Sequence, residues 1–108
     1  MVDLDCEQRA KVFAALADAT RLRLIELLAD EEELCGTQIA KRAGISMALL
    51  SHHWKVLSDA GLVIRVRRGQ SQYCRVNREA LEAAFIRIWP RRRLQSQLGQ
   101  TPVLSAEC

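Results

Sequence analysis

Apolar residues along this chain recur at helical spacing in five stretches and alternate with polar ones in a sixth. Between Ser46 and Val63, Leu50, Trp54 and Leu57 fall at i, i+4 and i+7, which draws one stripe along a helix. Ser46 is a good N-cap for that helix, and Gly61 stands where it would stop. Its other face carries Met47, Ala48, Ser51, His52 and Lys55, short or polar side chains with one cation. Upstream, Thr37 to Ala43 reads as a short helix that Thr37 could cap and Gly44 breaks. Ala19 to Leu28 is strongly helical, capped by Asp18, with Leu22, Leu24, Ile25 and Leu28 inward and Arg21 and Arg23 outward. Leu4 to Leu16 forms a first helix anchored by Val12, Phe13 and Leu16. Arg78 to Trp89 forms a last one, with Leu81, Ala84, Phe85, Ile88 and Trp89 along one side, and Pro90 should end or kink it.

Strand periodicity takes over after Gly61. Leu62, Ile64 and Val66 alternate with Val63, Arg65 and Arg67. Arg68-Gly69-Gln70-Ser71 supplies a turn, and Gln72 to Asn77 returns with Cys74 and Val76 on one face. The acidic run Asp30 to Glu33 reads as a solvated loop leading to Leu34. Two helices joined by about three residues including a glycine make a helix-turn-helix. Followed by a hairpin with Arg67, Arg68, Gln70 and Ser71 near its tip, the order describes a winged helix-turn-helix: mainly α, about five helices, with a β-hairpin wing. One domain over residues 1–93 and a polar, poorly ordered tail over 94–108 account for the length.

Charge sharpens the picture. Up to Ala40, four Lys and Arg stand against nine Asp and Glu, a net of −5; from Lys41 to Arg93, twelve stand against three, a net of +9. The basic half coincides with the second motif helix and the wing, which is the footprint of phosphate binding. Short side chains on the outward face allow close approach to a major groove, where Ser, His and Lys can bond phosphates or base edges. A small domain with surplus apolar residues on its first and last helices is expected to dimerise, and Phe13, Leu16, Phe85, Ile88 and Trp89 are the expected seam. A two-fold dimer presents two reading helices to successive major grooves of a palindromic operator.

Other classes fit poorly. Both histidines lie in the reading helix, and the chain has no Gly-rich phosphate loop and no C-x-x-C, so an enzyme is not expected. No apolar run approaches the ~20 residues of a membrane span. The start, MVDLDCEQR, lacks the apolar core of a signal peptide, so a cytoplasmic location is expected. Four cysteines without tight spacing make no disulfide framework. A winged helix that binds proteins instead of DNA is the rival reading.

The words ALADATRLRLIELL, EELCGTQIA, SMALLSHHWKVLSDAGLV and RVRRGQSQYCRVN, over roughly residues 10 to 86, resemble the ArsR/SmtB family of bacterial repressors. The resemblance implies a homodimeric winged-helix repressor that leaves its operator when an inducer binds. Inducers in that family are soft or transition metals, arsenite or antimonite, or oxidising and sulfur species acting on cysteines; some members have no known inducer. Ser46, Met47, Ala48, Ser51, His52 and Lys55 fall on the family's DNA-reading positions, where Met47 departs from a common polar residue. Lys41 and the wing residues Arg67, Arg68 and Gln70 complete the expected DNA contacts. His53 matches a histidine packed against the domain. Where metal-binding members carry Cys-Val-Cys, this chain has Cys35-Gly36-Thr37, so other segments would have to contribute, Cys6 first among them. The zinc site of the family's last helix is absent, because that helix has no histidine. Cys74 reads as core and Cys108 as an exposed terminal thiol. Thiol-reactive sensing (oxidant, sulfur species or arsenite) through Cys35 and Cys6 and regulation without a cysteine sensor both stay open; no cofactor is identified.

Overall fold

Helix starts in this chain are written by side chains that accept the free N–H groups of a first turn. In the computed structural model, which describes residues 4–89, the elements are α1 (Cys6–Leu16), α2 (Ala19–Asp30), β1 (Leu34–Cys35), α3 (Gly36–Ala43), α4 (Met47–Asp59), β2 (Val63–Arg68), β3 (Ser71–Val76) and α5 (Arg78–Phe85). Asp5 caps α1 by accepting from the Gln8 N–H at 2.8 Å, while Gln8 Oε1 accepts from the Asp5 N–H at 3.1 Å. This capping box holds Asp5 extended, so the helix begins at Cys6 and not at Leu4. Asp18 accepts from the Arg21 N–H at 3.0 Å and Ser46 from the Leu49 N–H at 3.1 Å, the two caps expected from sequence. Thr37 is not the cap of α3. Cys35 takes that place, with Gln38 Oε1 accepting its backbone N–H at 3.0 Å.

Both motif helices end the same way. Gly44 and Gly61 hold positive φ of 71° and 76°, and the next residue's N–H reaches back: Ile45 to the Ala40 carbonyl, Leu62 to the Leu57 carbonyl, each at 3.0 Å. A side chain at either glycine would be strained in that left-handed region.

The sheet has the order β1-β3-β2, antiparallel throughout. Arg68 pairs with Ser71, leaving Gly69-Gln70 as a two-residue turn with positive φ at Gly69 alone, as a type II′ hairpin requires. The two-residue strand β1 is too short to show a period, and the sequence reading passes over it. β2 also starts one residue later than expected. Leu62 is buried before the strand begins, its carbonyl accepting from the Asn77 N–H at 2.8 Å. Alternation within the strand starts at Val63, which pairs with buried Val76; Ile64 and Val66 pair with Arg75 and Tyr73 and stay half-buried, while Arg65 and Arg67 are exposed.

One core runs through the described residues. Leu24 and Leu28 of α2, Ile39 of α3, Leu57 of α4 and Leu62 are wholly buried, packed with Val12 of α1 and Ala84 of α5. On α2 the inward set is Leu24, Ile25 and Leu28; Leu22 is 43% exposed, and Arg21 turns inward instead. A helix has one buried stripe, and Leu22 lies beyond its edge. The acidic run is also less open than expected. Asp30 is the last residue of α2, Glu31 bonds Arg42 at 2.9 Å, and Glu33 bonds Arg68. α5 stops at Phe85, whose carbonyl accepts from both Ile88 and Trp89, so residues 86–89 continue it as a hydrogen-bonded turn. Pro90, the tail over 94–108 and Cys108 lie outside the described residues.

Leu57→Ala is expected to lower unfolding stability in urea, at fixed protein concentration, by about 2–5 kcal/mol, whereas Leu22→Ala on the exposed side of α2 should cost under about 1 kcal/mol.

Candidate nucleic-acid interface

α4 divides cleanly. Leu50, His53, Trp54 and Leu57 are buried, and Ser46, Met47, Ala48, Ser51, His52 and Lys55 are all exposed. Among the described residues Ser51, His52 and Lys55 make no hydrogen bond or ion pair within the chain, so their donors and acceptors are free for an outside ligand. Met47 behaves differently. A Cβ placed on Gly36 would sit 3.6 Å from Met47 Cε, so the thioether folds back over the first residue of α3. Half-exposed at 49%, it packs between the two motif helices, which explains an apolar residue at this position.

The cations sort into two groups. Lys41 on α3 and Arg67 on β2 are exposed and unpaired among the described residues, as is the amide of Gln70 at the turn. Arg42 and Arg68 are tied to Glu31 and Glu33, Arg68 also lies over the Tyr73 ring at 5.8 Å, and Arg78 donates to the Ala29 carbonyl at 3.0 Å. Sequence alone could not separate the groups, because each pairing spans at least eleven residues.

His53 is buried, and its Nδ1 lies 3.2 Å from an Arg21 guanidinium nitrogen and 3.9 Å from Asp18 Oδ2. The Arg21 backbone N–H bond first, and the Arg21 guanidinium charge after it, hold Asp18 below the usual carboxylate range.

The thiols differ in setting. Cys35 is half-buried at the start of α3, with Sγ 3.3 Å from Thr37 Oγ1. That hydroxyl first, and the backbone N–H groups of the helix start after it, pull the Cys35 thiol below its ordinary pKa. Burial pushes the Cys74 thiol up, against a smaller opposing pull from the Arg65 charge. Leu34, not Cys35, stands opposite Cys74 in the β1–β3 pair, so the two thiols leave opposite faces of the sheet. Cys6, the first residue of α1, is exposed. No three His, Cys, Asp or Glu side chains gather to hold a metal among the described residues.

The expected seam is a mixed surface. Phe13 and Leu16 are half-buried against the core, while Phe85 and Ile88 are 48% and 64% exposed. Trp89 is half-buried, and its indole N–H finds no acceptor among the described residues. No helix of the described residues is long and apolar enough to cross a membrane.

Residues 16–67 match the family model of a helix-turn-helix domain. The chain is 38% identical over 68 residues to an arsenic resistance transcriptional regulator, ArsR1, of Pseudomonas putida, covering 63% of this chain and 53% of that one. It is 33% identical over 81 residues to a cadmium resistance transcriptional regulatory protein CadC homolog of Staphylococcus aureus, covering 71% and 67%. The chain thus spans about half the length of the first of these relatives and two thirds of the second. The solution structure of Mb0332 from Mycobacterium bovis, a homodimeric winged helix-turn-helix DNA-binding domain and possible ArsR-family regulator, matches with a TM-score of 0.64 at 28% identity, over 89% of this chain and 95% of that one. These relatives are regulators and not enzymes. With the motif helices, the hairpin wing and these matches in agreement, the chain belongs to the ArsR/SmtB family of winged helix-turn-helix transcriptional regulators.

Proposed function

We propose that this protein is a dimeric repressor that binds a palindromic operator through α4 and the wing and leaves it when a thiol-reactive inducer acts at Cys35. The observation that carries the DNA reading is the exposed, internally unpaired face of α4, with Ser51, His52 and Lys55 flanked by the free cations Lys41 and Arg67. Ser46 and Ala48 let the helix start approach phosphates closely, and Gln70 at the hairpin turn reaches a neighbouring groove. Met47 acts as a spacer between α3 and α4. Arg68 joins the DNA contacts only after leaving Glu33. Phe13, Leu16, Phe85, Ile88 and Trp89 form the dimer seam, in line with the homodimeric Mycobacterium bovis neighbour.

Cys35 is the sensing thiol in this reading, because its thiolate is favoured and it stays half-open to solvent. Cys6 supplies the second sulfur from across the dimer. The named arsenic and cadmium regulators make soft, thiophilic species the first inducers to titrate. Cys74 is core, its thiol raised by burial.

Binding to DNA from upstream of the protein's own gene, followed by fluorescence anisotropy in reduced, mildly oxidised and arsenite-treated samples, tests the whole reading. Tight binding when reduced and release in either treatment is expected; equal binding in all three would remove the thiol sensor.

Five outcomes are specific. His52→Ala with Lys55→Ala should weaken binding by about 10-fold to 100-fold at low salt, flatten the log–log salt slope by about one unit, and leave the dimer intact by sedimentation. Glu33→Gln should free Arg68 and tighten binding, with the salt slope steeper by about 0.9; an unchanged slope would keep Arg68 off the DNA. Cys35→Ser should bind DNA normally but ignore the inducer. In the wild type, alkylation of Cys35 should reach half its maximal rate below the pH of an ordinary thiol, since a lowered pKa yields thiolate sooner as pH rises. Thr37→Val removes the largest cause and should move that midpoint upward.

A further inference from the structure

Arg21 is the cation that helical periodicity sends to solvent and the fold turns inward. Its Nε donates to the Ala15 carbonyl near the end of α1 at 2.7 Å. Its backbone N–H donates to Asp18, the cap of α2, at 3.0 Å. One terminal nitrogen reaches His53 Nδ1 on α4 at 3.2 Å. A guanidinium has donors only, so Nδ1 accepts, and the neutral ring keeps its proton on Nε2. The His53 ring then meets His52 edge-on, centroids 5.3 Å apart and planes at 65°. A continuous path thus runs from the α1 backbone through Arg21 and His53 to a side chain on the outer face of α4.

The other anchors of α4 are of a different kind. Leu50, Trp54 and Leu57 are buried by the non-directional hydrophobic effect, which tolerates small rotations of a helix about its own axis. A hydrogen bond weakens steeply as its angle and distance change, so the Arg21–His53 bond selects one rotation. Direct readout needs side chains held to about 0.5 Å and 10–20°.

We propose that Arg21 is a positioning residue for DNA discrimination: by holding His53 it sets the rotation of α4 and the direction of His52. The inference rests on the reading of α4 as the DNA-facing helix. Lysine cannot replace it, because a single ammonium on a flexible stem does not span Ala15 and His53 in a fixed fork.

The test uses the full chain, a duplex that the wild type selects from a randomised pool, and a shuffled duplex of the same composition. Arg21→Lys should lose about tenfold in affinity for the selected duplex, the scale of one hydrogen bond to a charged group. Affinity for the shuffled duplex should stay within about twofold, because the phosphate contacts remain. Thermal unfolding should move by less than about 4 °C. Parallel losses on both duplexes, or none on either, would overturn the proposal. His53→Leu removes the acceptor at similar size and should behave alike, which keeps the test open should Arg21→Lys fold poorly. The double variant should bind no more weakly than either single one, to within about twofold; additive losses would overturn the coupling. His52→Ala separates the two levels. If it weakens binding while Arg21→Lys does not, the positioning role alone falls; if no duplex is selected at all, the DNA reading falls first.

Discussion

Burial of one stripe of α4 is the constraint on which the other features depend. Once Leu50, Trp54 and Leu57 are committed to the core, the 3.6-residue period leaves Ser51, His52 and Lys55 no direction but outward. The stripe also fixes how α4 must leave α3 and enter β2. Both junctions are closed by a glycine at positive φ with a backward N–H bond, and the same device twice gives the motif its two turns. The wing then follows directly from the end of α4, with only Leu62 buried between them.

Most of this was legible because it is local. The caps at Asp18 and Ser46, the breaks at Gly44 and Gly61, and the buried face of β3 all depend on residues within about one turn or one pleat of each other. What escaped the sequence is non-local. Strand β1 exists only because Leu34 and Cys35 find Cys74 and Tyr73 some forty residues on. Arg21 looks like an outward cation until α4 brings His53 to it. The start of α3 is a local exception, where Gln38 bonds the Cys35 N–H and the cap falls on Cys35 and not on Thr37. In β2 the alternation of Ile64 and Val66 against Arg65 and Arg67 was legible, but Leu62, apolar and adjacent, lies before the strand. The outward set on α4 was legible as a face; which of its flanking cations are free was not.

That last distinction gives the acidic segment after α2 a role. Glu31 and Glu33 occupy Arg42 and Arg68, so the strong basic bias from Lys41 onward is trimmed to fewer free charges than the sequence counts. Exposed pairs of this kind contribute little to stability. Their effect is on where positive charge stays exposed and unpaired among the described residues, which includes Lys41, Lys55, Arg65, Arg67 and Arg75.

The strand order has a further consequence for handling the protein. With β3 in the middle, β2 is an edge of the sheet among the described residues, and an edge strand is a template for pairing with another extended chain. Arg65, Arg67 and Arg68 stand on that strand, and like charges on two such edges repel. In the proposed reading, the wing's arginines would therefore lower edge-to-edge pairing of copies as well as offer positive charge to DNA. Stripping them to probe one property exposes the other, and an apparent loss of binding in such a variant has to be separated from edge-to-edge aggregation.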